Sequence, residues 1–231
     1  MQIFRLMVSG SAALPISVME KWEKISGHRL LERYGMTEIG MAISNPYKGE
    51  RRAGHIGQPL PGVLVKLADE QGNEIKTDDP GEILIKGDNV FLEYWNKKEA
   101  TQKSFTSDGW FKTGDVAILD SGYYRILGRN SIDIIKSGGY KISALEIEEV
   151  LRTHPDIADC SVVGIPDEEW GELVAAVLIL ETTSLDFKEL NAWIRDKMPA
   201  YKTPRRYHIV AELPRNAMGK VTKNDLKTFF S

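Results

Sequence analysis

The sequence contains a single cysteine, Cys160, among its 231 residues. One cysteine cannot form an intramolecular disulfide bond, and it cannot supply the several thiolates of a cysteine-based zinc site, so both are excluded. Cys160 lies in a strand-like apolar run. This position favours a small buried apolar side chain over a reactive thiol.

Long apolar runs are also missing. The longest, Leu173–Leu180, has eight residues, whereas a membrane-spanning helix needs about 20. The first residues lack the basic segment, the long apolar core and the small-residue cleavage site of a signal peptide. We therefore expect no membrane span, and we expect the protein in the cytoplasm or in an organellar matrix.

Neither sign of charge dominates, because 30 Lys and Arg residues stand against 33 Asp and Glu residues. No basic tract marks a surface for nucleic acid or for anionic lipid. We expect neither of these partners, and ligand recognition must then depend on local groups of residues.

Several catalytic signatures are absent as well. The sequence has no G-x-x-x-x-G-K-[ST] phosphate loop, no H-E-x-x-H, no C-x-x-C and no G-x-S-x-G. Met218–Val221 resembles the end of a phosphate loop, but the upstream glycine and the hydroxyl residue are missing.

The first part of the chain combines strand and helix patterns. Ile3–Val8 reads as a buried strand, and Arg29–Tyr34 begins a second one. Pro15 opens a helix that ends at Gly27. Its apolar face is predicted at three-residue steps: Ile16, Met19, Trp22 and Ile25.

Between Gly54 and Gly128, closely spaced glycines separate short β-branched runs. This pattern predicts an antiparallel and barrel-like β subdomain over residues 54–128.

After Arg129 strands and helices alternate, which predicts a small α+β domain over residues 130–231 and a boundary near 129–131. Ser143 with Glu146 forms a capping box, and Thr222 with Asp225 predicts the cap of a last helix. The fold class expected for the whole chain is α/β followed by α+β.

Polar residues at strand ends and turns are the candidates for chemistry. Thr37 and Glu38 follow a strand and a glycine, an arrangement that suits Mg²⁺ bound to phosphate. Taken alone, the pattern favours a strand-end turn with two solvated polar residues. Asp115 beside Gly114 has the reach to accept from both ribose hydroxyls, or it is a plain turn aspartate. Arg129 follows a strand, where it adds a cation to a site or pairs with a surface acid.

Two glycine turns carry lysines. Gly138 and Gly139 allow close backbone approach to a ligand and are flanked by Lys136 and Lys141; a hairpin turn alone would need the glycines but not both lysines. Lys220 stands on a second glycine turn, where it is a candidate for ligand binding. The alternative is that this turn is only a solvated loop.

In this order the motifs resemble those of the adenylate-forming superfamily, which contains acyl-CoA synthetases, peptide-synthetase adenylation domains and luciferases. The resemblance covers essentially all 231 residues. Its six motifs are Ser9-Gly10-Ser11-Ala12, Tyr34–Glu38, Thr113–Asp115, Gly128-Arg129, Lys136–Lys141 and Pro214–Lys220.

The resemblance implies ATP or AMP, Mg²⁺ and coenzyme A as ligands. The implied adenine pocket consists of Ser9, Gly10, Ser11 and Tyr34, with the tyrosine ring stacked on the base. By the same resemblance Thr37 touches the α-phosphate and Glu38 holds Mg²⁺. Asp115 and Arg129 are implied to bind the ribose hydroxyls. Lys220 is implied to contact both the reacting carboxylate and the α-phosphate.

The resemblance also implies that residues 1–129 are the C-terminal part of an AMP-binding large domain and that 130–231 is a mobile lid. The implied hinge is 129–133 with Ser131 at its pivot, where members often have Asp or Lys. After the lid turns, the loop of Gly138, Gly139 and Tyr140, flanked by Lys136 and Lys141, would replace Lys220 and line a tunnel for the CoA thiol.

Within the superfamily, the segment around Arg33 resembles malonyl-CoA synthetases. An arginine in the acyl pocket would bind the distal carboxylate of a dicarboxylic acid, with Ser9 beside it, through a bidentate pair. A pocket for a fatty acyl tail would not tolerate that buried charge. The alternative is that Arg33 pairs with the adjacent Glu32 or with another surface acid.

The phosphate loop that precedes Ser9 in the family is missing, so we interpret the chain as the C-terminal portion of a longer synthetase, inactive by itself. The missing N-terminal part would then be its partner. The expected activity of the whole is an ATP-dependent acid–CoA ligase. Other candidates are a ligase for methylmalonate or acetate, an adenylation domain that loads a carrier protein, and a fragment without activity.

Overall fold

The computed structural model describes residues 4–76 and 78–231. It consists of two compact units, one up to Ile126 (unit 1) and one over Leu127–Ser231 (unit 2). In the described ranges no helix is long and apolar enough to cross a membrane. The predicted boundary near 129–131, and the roles predicted for the two parts, stay predictions.

Unit 1 begins with a four-stranded sheet in the order β1-β2-β3-β4, in which β1 runs parallel to β2 and the remaining neighbours are antiparallel. Helix α1 (Ile16–Ser26) connects β1 to β2. The strands are β1 (Val8–Ser9), β2 (Leu31–Met36), β3 (Gly40–Ser44) and β4 (Gln58–Pro59).

Two predictions for this region were partly wrong. The described part of the predicted strand Ile3–Val8 forms a strand only from Val8, and Ile3 lies outside the described residues. Helix α1 follows Pro15 and ends at Gly27 (φ 71°) as predicted. Met19 is fully buried, but Ile25 is 68% exposed. Three-residue steps fall about 60° short of a full turn each, so a stripe at this spacing drifts around the helix.

The second sheet of unit 1 is antiparallel with the order β6-β5-β7-β8-β9. It confirms antiparallel structure in the glycine-rich region, and because its strands form an open order it is not a closed barrel. A short helix, α2 (Lys98–Lys103), lies between β7 and β8. The strands are β5 (Leu64–Ala68), β6 (Glu74–Ile75), β7 (Gly81–Lys86), β8 (Phe111–Asp120) and β9 (Tyr123–Arg129).

Unit 2 is a small α+β unit, as predicted. Its sheet has the order β11-β10-β13-β12, with β14 paired in parallel to β13. The elements are β10 (Ile134–Ser137), β11 (Tyr140–Ser143), α3 (Ala144–Leu151), β12 (Ile157–Asp167), β13 (Gly171–Leu180), α4 (Phe187–Arg195), β14 (Arg206–Ile209) and α5 (Lys223–Leu226), with 3₁₀ turns at Ala200–Lys202 and Lys227–Phe230.

Both faces of strand β13 are buried, which explains its uninterrupted apolar run. Val174 and Ala176 belong to the core cluster that α3 and α4 cover, whereas Ala175 and Val177 belong to a second cluster with Leu226. A strand buried on both faces needs apolar residues at every position rather than at alternate ones. The helices of unit 2 therefore pack on opposite faces of one sheet.

The two predicted caps had different outcomes. Ser143 caps α3, since its Oγ accepts a hydrogen bond from the backbone N–H of Glu146 at 3.2 Å. Thr222 precedes α5 but its side chain makes no cap; the hydroxyl donates to the carbonyl of Pro214 at 3.3 Å. A partner eight residues earlier in the chain thus replaces the local cap.

Candidate functional site

Arg33 lies against the glycine that follows β1. Because β1 and β2 are parallel, with Ser9 opposite Glu32, the next residue of β2 is brought to the end of β1. A Cβ on Gly10 would lie 2.6 Å from Nη1 of Arg33, so glycine leaves the room that the guanidinium occupies. Ser11 follows with φ 72°. The structure thereby groups Ser9–Ser11 with Arg33, residues that the sequence assigned to nucleotide and acid binding.

The guanidinium of Arg33 makes no ion pair or hydrogen bond with any residue in 4–76 or 78–231. The neighbouring Glu32 is 4% exposed, and its Oε1 accepts from the backbone N–H of Leu14 at 3.3 Å. Adjacent strand residues point to opposite faces of a sheet. The described residues therefore contain no ion pair between Arg33 and Glu32, which was the alternative.

Tyr34 and Asp115 form a buried hydrogen bond. The phenolic O–H of Tyr34 donates to Oδ2 of Asp115 at 2.6 Å, across 81 residues of sequence. Tyr34 is 8% and Asp115 9% exposed. The structure therefore joins the residue predicted to stack on adenine to the residue predicted to bind ribose.

A bulge between β7 and β8 presents Asp115. The register of the two strands shifts here, and Gly114 takes φ 76° with its N–H donating to Oε1 of Glu82 at 2.9 Å. The hydroxyl of Thr113 donates to the carbonyl of Ile83 at 2.9 Å and accepts from the N–H of Asp115 at 3.1 Å. Bulges re-aim side chains next to sites, and these hydrogen bonds fix the backbone that leads into the aspartate.

Thr37 and Glu38 lie in the turn between β2 and β3. A Cβ on Gly35 would lie 2.0 Å from the carbonyl oxygen of Gly40, so only glycine permits this tight turn. Thr37 is exposed. Glu38 is half-buried, and its Oε1 accepts from the hydroxyl of Tyr94 at 2.9 Å.

Tyr94 was not among the residues predicted from sequence. It is 56 residues from Glu38, and a lone tyrosine carries no motif that would have pointed to this contact. The hydrogen bond from Tyr94 orients the carboxylate of Glu38. Among the described residues no group of three or more His, Cys, Asp or Glu side chains converges on a metal site. One carboxylate suits Mg²⁺, because this ion is held in nucleotide sites by one or two carboxylates together with phosphate oxygens.

The predicted hinge is a tight turn at the end of β9. The carbonyl of Arg129 accepts from the N–H groups of Ile132 at 3.0 Å and Asp133 at 2.7 Å. The carboxylate of Asp133 accepts in return from the N–H of Arg129 at 2.9 Å. Ser131 is exposed at the middle of this turn.

The glycine loop predicted to line the CoA tunnel is the hairpin between β10 and β11. Gly138 (φ 55°) and Gly139 (φ 82°) form its two-residue turn, a conformation with positive φ at both positions that glycine adopts without strain. A Cβ on Gly138 would lie 2.8 Å from the ring of Trp170. Lys136 and Lys141 are directly opposite each other in the ladder.

That register places two like charges side by side, which is unfavourable unless neighbouring groups offset it. The ring of Tyr140, on the same hairpin, stacks on the ring of Tyr201 with centroids 4.4 Å apart. Tyr201 is a further contact that no sequence motif indicated.

Lys220 lies on a turn that leaves its ammonium group exposed. Its backbone N–H and that of Met218 both donate to Oδ1 of Asn216 at 3.0 Å, and Gly219 takes φ 78°. Within residues 4–76 and 78–231 the ammonium group makes no ion pair. The backbone is thus fixed while the charged end stays available.

Cys160 is fully buried in β12, as expected from the sequence. Burial raises the pKa of its thiol, and the neighbouring Arg152 offsets this only in part. A thiol of this kind is a core residue rather than a nucleophile.

Comparison with known proteins identifies the family of the chain. The family model of the AMP-binding enzymes matches residues 1–95 of the sequence. The family model of the AMP-binding enzyme C-terminal domain matches residues 146–220. The chain is 52% identical to malonate–CoA ligase ACSF3, mitochondrial, of Bos taurus and 52% identical to malonate–CoA ligase of Arabidopsis thaliana. Each alignment covers 96% of this chain but only 42% and 38% of those relatives.

Solved structures agree with this result. The crystal structure of ATP-bound MatB from Rhodopseudomonas palustris has a TM-score of 0.92 and 39% identity, and covers 98% of this chain and 45% of that one. The anthranilate CoA ligase AuaEII in complex with anthranoyl-AMP has a TM-score of 0.88 and 33% identity, with 98% and 44% coverage. The fold, the order of the motifs and these similarities together show that the chain belongs to the adenylate-forming family of AMP-binding enzymes.

Proposed function

We propose that the whole protein is an ATP-dependent acid–CoA ligase that converts malonate into malonyl-CoA. The chain spans about 40% of the length of the malonate–CoA ligases that it matches, so the proposal concerns the complete enzyme. Its partners are a malonate-like acid, CoA and the rest of the same enzyme.

The environment of Arg33 is the observation that supports malonate as the acid substrate. Its guanidinium is half-buried, lies against Gly10 and has no carboxylate partner among the described residues. A half-buried and unpaired guanidinium is costly unless a ligand supplies the anion. The distal carboxylate of malonate does so with bidentate geometry, and Ser9 adds a neighbouring hydroxyl.

In the first step the other carboxylate of malonate attacks the α-phosphorus of ATP, and pyrophosphate leaves. Two anions approach each other, so a positioned cation lowers the barrier, and the exposed ammonium of Lys220 is assigned that role. Thr37 contacts the α-phosphate, and Glu38 is the ligand of Mg²⁺. When bound, this ion neutralises charge on the phosphate oxygens.

Nucleotide binding is assigned to Ser9–Ser11, Tyr34, Asp115 and Arg129. The hydrogen bond between Tyr34 and Asp115 supports this assignment, because it sets the ring and the carboxylate in one fixed relation. A preorganised pair loses little conformational entropy when ATP binds.

In the second step the sulfur of CoA attacks the acyl carbonyl of the adenylate, and AMP leaves. We assign the CoA path to the hairpin of Gly138, Gly139 and Tyr140 with Lys136 and Lys141. We also propose that residues 130–231 are a lid that turns about 129–133, with Ser131 at the pivot, between the two steps.

The assignment of Lys220 is tested in the full-length enzyme by malonate-dependent AMP formation. Lys220→Ala should lower the rate by about 100-fold or more, the size of effect seen when one stabilising group is removed. Lys188→Ala, which removes an exposed lysine on α4, should keep the wild-type rate. Equal rates for Lys220→Ala and wild type would overturn the assignment.

The choice of malonate is tested with Arg33→Ala and a panel of malonate, methylmalonate, propionate and acetate. The variant should lose its preference for malonate over propionate by about 10-fold or more, the worth of one charge-assisted pair. A variant that keeps the preference of the wild type would remove the dicarboxylate argument.

The location of the protein, in the cytoplasm or an organellar matrix, stays a proposal. The relatives named ACSF3 are called mitochondrial, which supports the matrix. Fractionation of cells that express the full-length protein tests it.

A further inference from the structure

The turn that carries Lys220 is held at its first end by Arg215. One guanidinium nitrogen, Nη1, donates to the carbonyl of Gly219 at 2.9 Å, directly before the lysine. The other, Nη2, lies 2.8 Å from Oδ2 of Asp159 on β12. Arg215 thus closes the turn and ties it to the central sheet of unit 2.

The other end of the turn is held by Lys223. Its ammonium nitrogen lies 2.6 Å from Oδ1 of Asp133 and 2.7 Å from Oε1 of Glu148. The side chain of Lys223 is 9% exposed and that of Glu148 5%. Lys223 follows Lys220 by three residues, so the chain between them has little freedom to move.

A further arginine connects these two anchors. Arg152 Nη2 lies 3.3 Å from Oε2 of Glu148, and its Nε lies 3.4 Å from Oδ1 of Asp159. Glu148 also accepts from the backbone N–H of Val162 at 2.8 Å. The six charged groups, Arg215, Asp159, Arg152, Glu148, Lys223 and Asp133, therefore form one continuous ionic network, which a backbone contact of Glu148 fixes to β12.

The network extends to the turn at 129–133. Asp133 uses one oxygen for Lys223 and the other for the backbone N–H of Arg129 at 2.9 Å. The segments on which Lys220 and Ser131 lie are thus fixed to the same group of carboxylates. Partly buried charges are costly unless paired, so each member holds its neighbours in place.

We propose that Arg215 and Lys223 are positioning residues for Lys220 in the adenylation step. They do not touch the reacting atoms; they hold the two ends of the turn so that the ammonium of Lys220 reaches the α-phosphate in one geometry. The proposal rests on the proposed function, in which Lys220 acts in adenylation and not in thioester formation.

The test uses the full-length enzyme and measures the two half-reactions separately. Arg215→Gln should lower the turnover of malonate-dependent ATP–pyrophosphate exchange by about 10- to 100-fold, the cost of a misplaced catalytic group. The KM for ATP and the rate of CoA attack on synthetic malonyl-adenylate should stay at wild-type values. Arg215→Lys should recover part of the exchange rate, because it restores the charge opposite Asp159.

Lys223 is tested with Lys223→Arg and Lys223→Met. Lys223→Arg keeps the charge and should keep most of the exchange rate, whereas Lys223→Met should show the same selective loss as Arg215→Gln. If Lys223→Met does not fold, Arg215→Gln decides, because the side chain of Arg215 is 46% exposed and its replacement is tolerated more readily. Arg206→Gln, on the exposed start of β14, is the matched control and should leave both half-reactions unchanged.

Two kinetic results would overturn the proposal: an equal fall in both half-reactions for Arg215→Gln, or a rate of ATP–pyrophosphate exchange equal to that of the wild type. Amide hydrogen exchange over residues 214–222 is a readout that does not need activity, and Arg215→Gln should accelerate it there and nowhere else. Amide hydrogen exchange over residues 214–222 that is unchanged in Arg215→Gln would also overturn the proposal. A wild-type enzyme without malonate-dependent activity would refute the proposed function instead, while amide exchange would still decide whether Arg215 anchors the turn.

Discussion

The hydroxyl of Tyr34 and the carboxylate of Asp115 meet in a buried 2.6 Å hydrogen bond. The bond joins strand β2 of the first sheet to strand β8 of the second. Both residues belong to motifs that the family resemblance assigns to nucleotide binding, so one contact couples two sheets of unit 1 to one proposed ligand.

Tyr34→Phe keeps the ring and removes this hydrogen bond. We expect the free energy of unfolding to fall by about 1.5–3 kcal/mol, since a buried hydrogen bond to a charged acceptor is lost. The KM for ATP should also rise, because Asp115 loses one of the contacts that orient it. Urea denaturation and steady-state kinetics of the full-length enzyme measure both effects.

Tyr47→Phe is the matched control, since Tyr47 is 49% exposed and should tolerate the change. A Tyr34→Phe enzyme with wild-type stability and wild-type KM for ATP would show that the contact is incidental.

Gly35→Ala should destabilise unit 1 through a steric conflict. The new Cβ would lie 2.0 Å from the carbonyl oxygen of Gly40, a backbone atom that cannot move without opening the turn. We expect a loss of about 3 kcal/mol, at the upper end of overpacking effects. Thermal denaturation measures it.

The comparison for this prediction is Gly27→Ala. Gly27 ends α1 with φ 71° and has open space around its Cβ position, so only the cost of the left-handed conformation applies, about 1 kcal/mol. If Gly27→Ala is the more damaging change, the turn at Gly35 is more adaptable than its geometry indicates.

Cys160 should be inert in the native protein. It is fully buried, and burial raises the pKa of its thiol, so the thiolate that reacts with disulfide reagents is scarce. Labelling with such a reagent, followed by mass spectrometry of the peptide that contains Cys160, should proceed only as fast as the protein unfolds. Ser184→Cys adds an exposed thiol as an internal reference, and equal labelling of both positions would contradict the prediction.

The ion pairs of Lys223 should contribute stability that disappears at high pH. Burial by itself lowers the pKa of Lys223, but the carboxylates of Glu148 and Asp133 outweigh it and hold the pKa above its ordinary value of 10.5. A group with a raised pKa in the folded state stabilises fully below its unfolded pKa, and this contribution is lost as the pH rises through the folded pKa.

Lys223→Met should therefore cost about 3 kcal/mol at pH 8, and the difference from wild type should shrink above pH 10.5. Urea denaturation of both proteins across this range measures the difference. A difference that does not change with pH would mean that packing, and not charge, accounts for the effect of Lys223.

Local signals in the sequence predicted much of the fold. Pro15 and Gly27 bracket α1, Ser143 caps α3, and the two glycines at 138 and 139 form the hairpin turn. In each case the physical cause acts between residues a few positions apart. Where a distant partner competes, as the carbonyl of Pro214 does for the hydroxyl of Thr222, the local prediction failed.

The candidate site shows the same difference between what local sequence signals predict and what distant partners decide. Its motifs are local strings that the sequence alone displays, and they determined the family, the expected ligands and the residues to inspect. The contacts that orient those residues are between Tyr34 and Asp115, between Glu38 and Tyr94, and between Lys223 and the carboxylates of Asp133 and Glu148. These partners are dozens of residues apart, and no pattern of neighbours encodes which pairs will meet. Only the tertiary structure decided them, because burial of one charged or polar group is stable only where the fold delivers its partner.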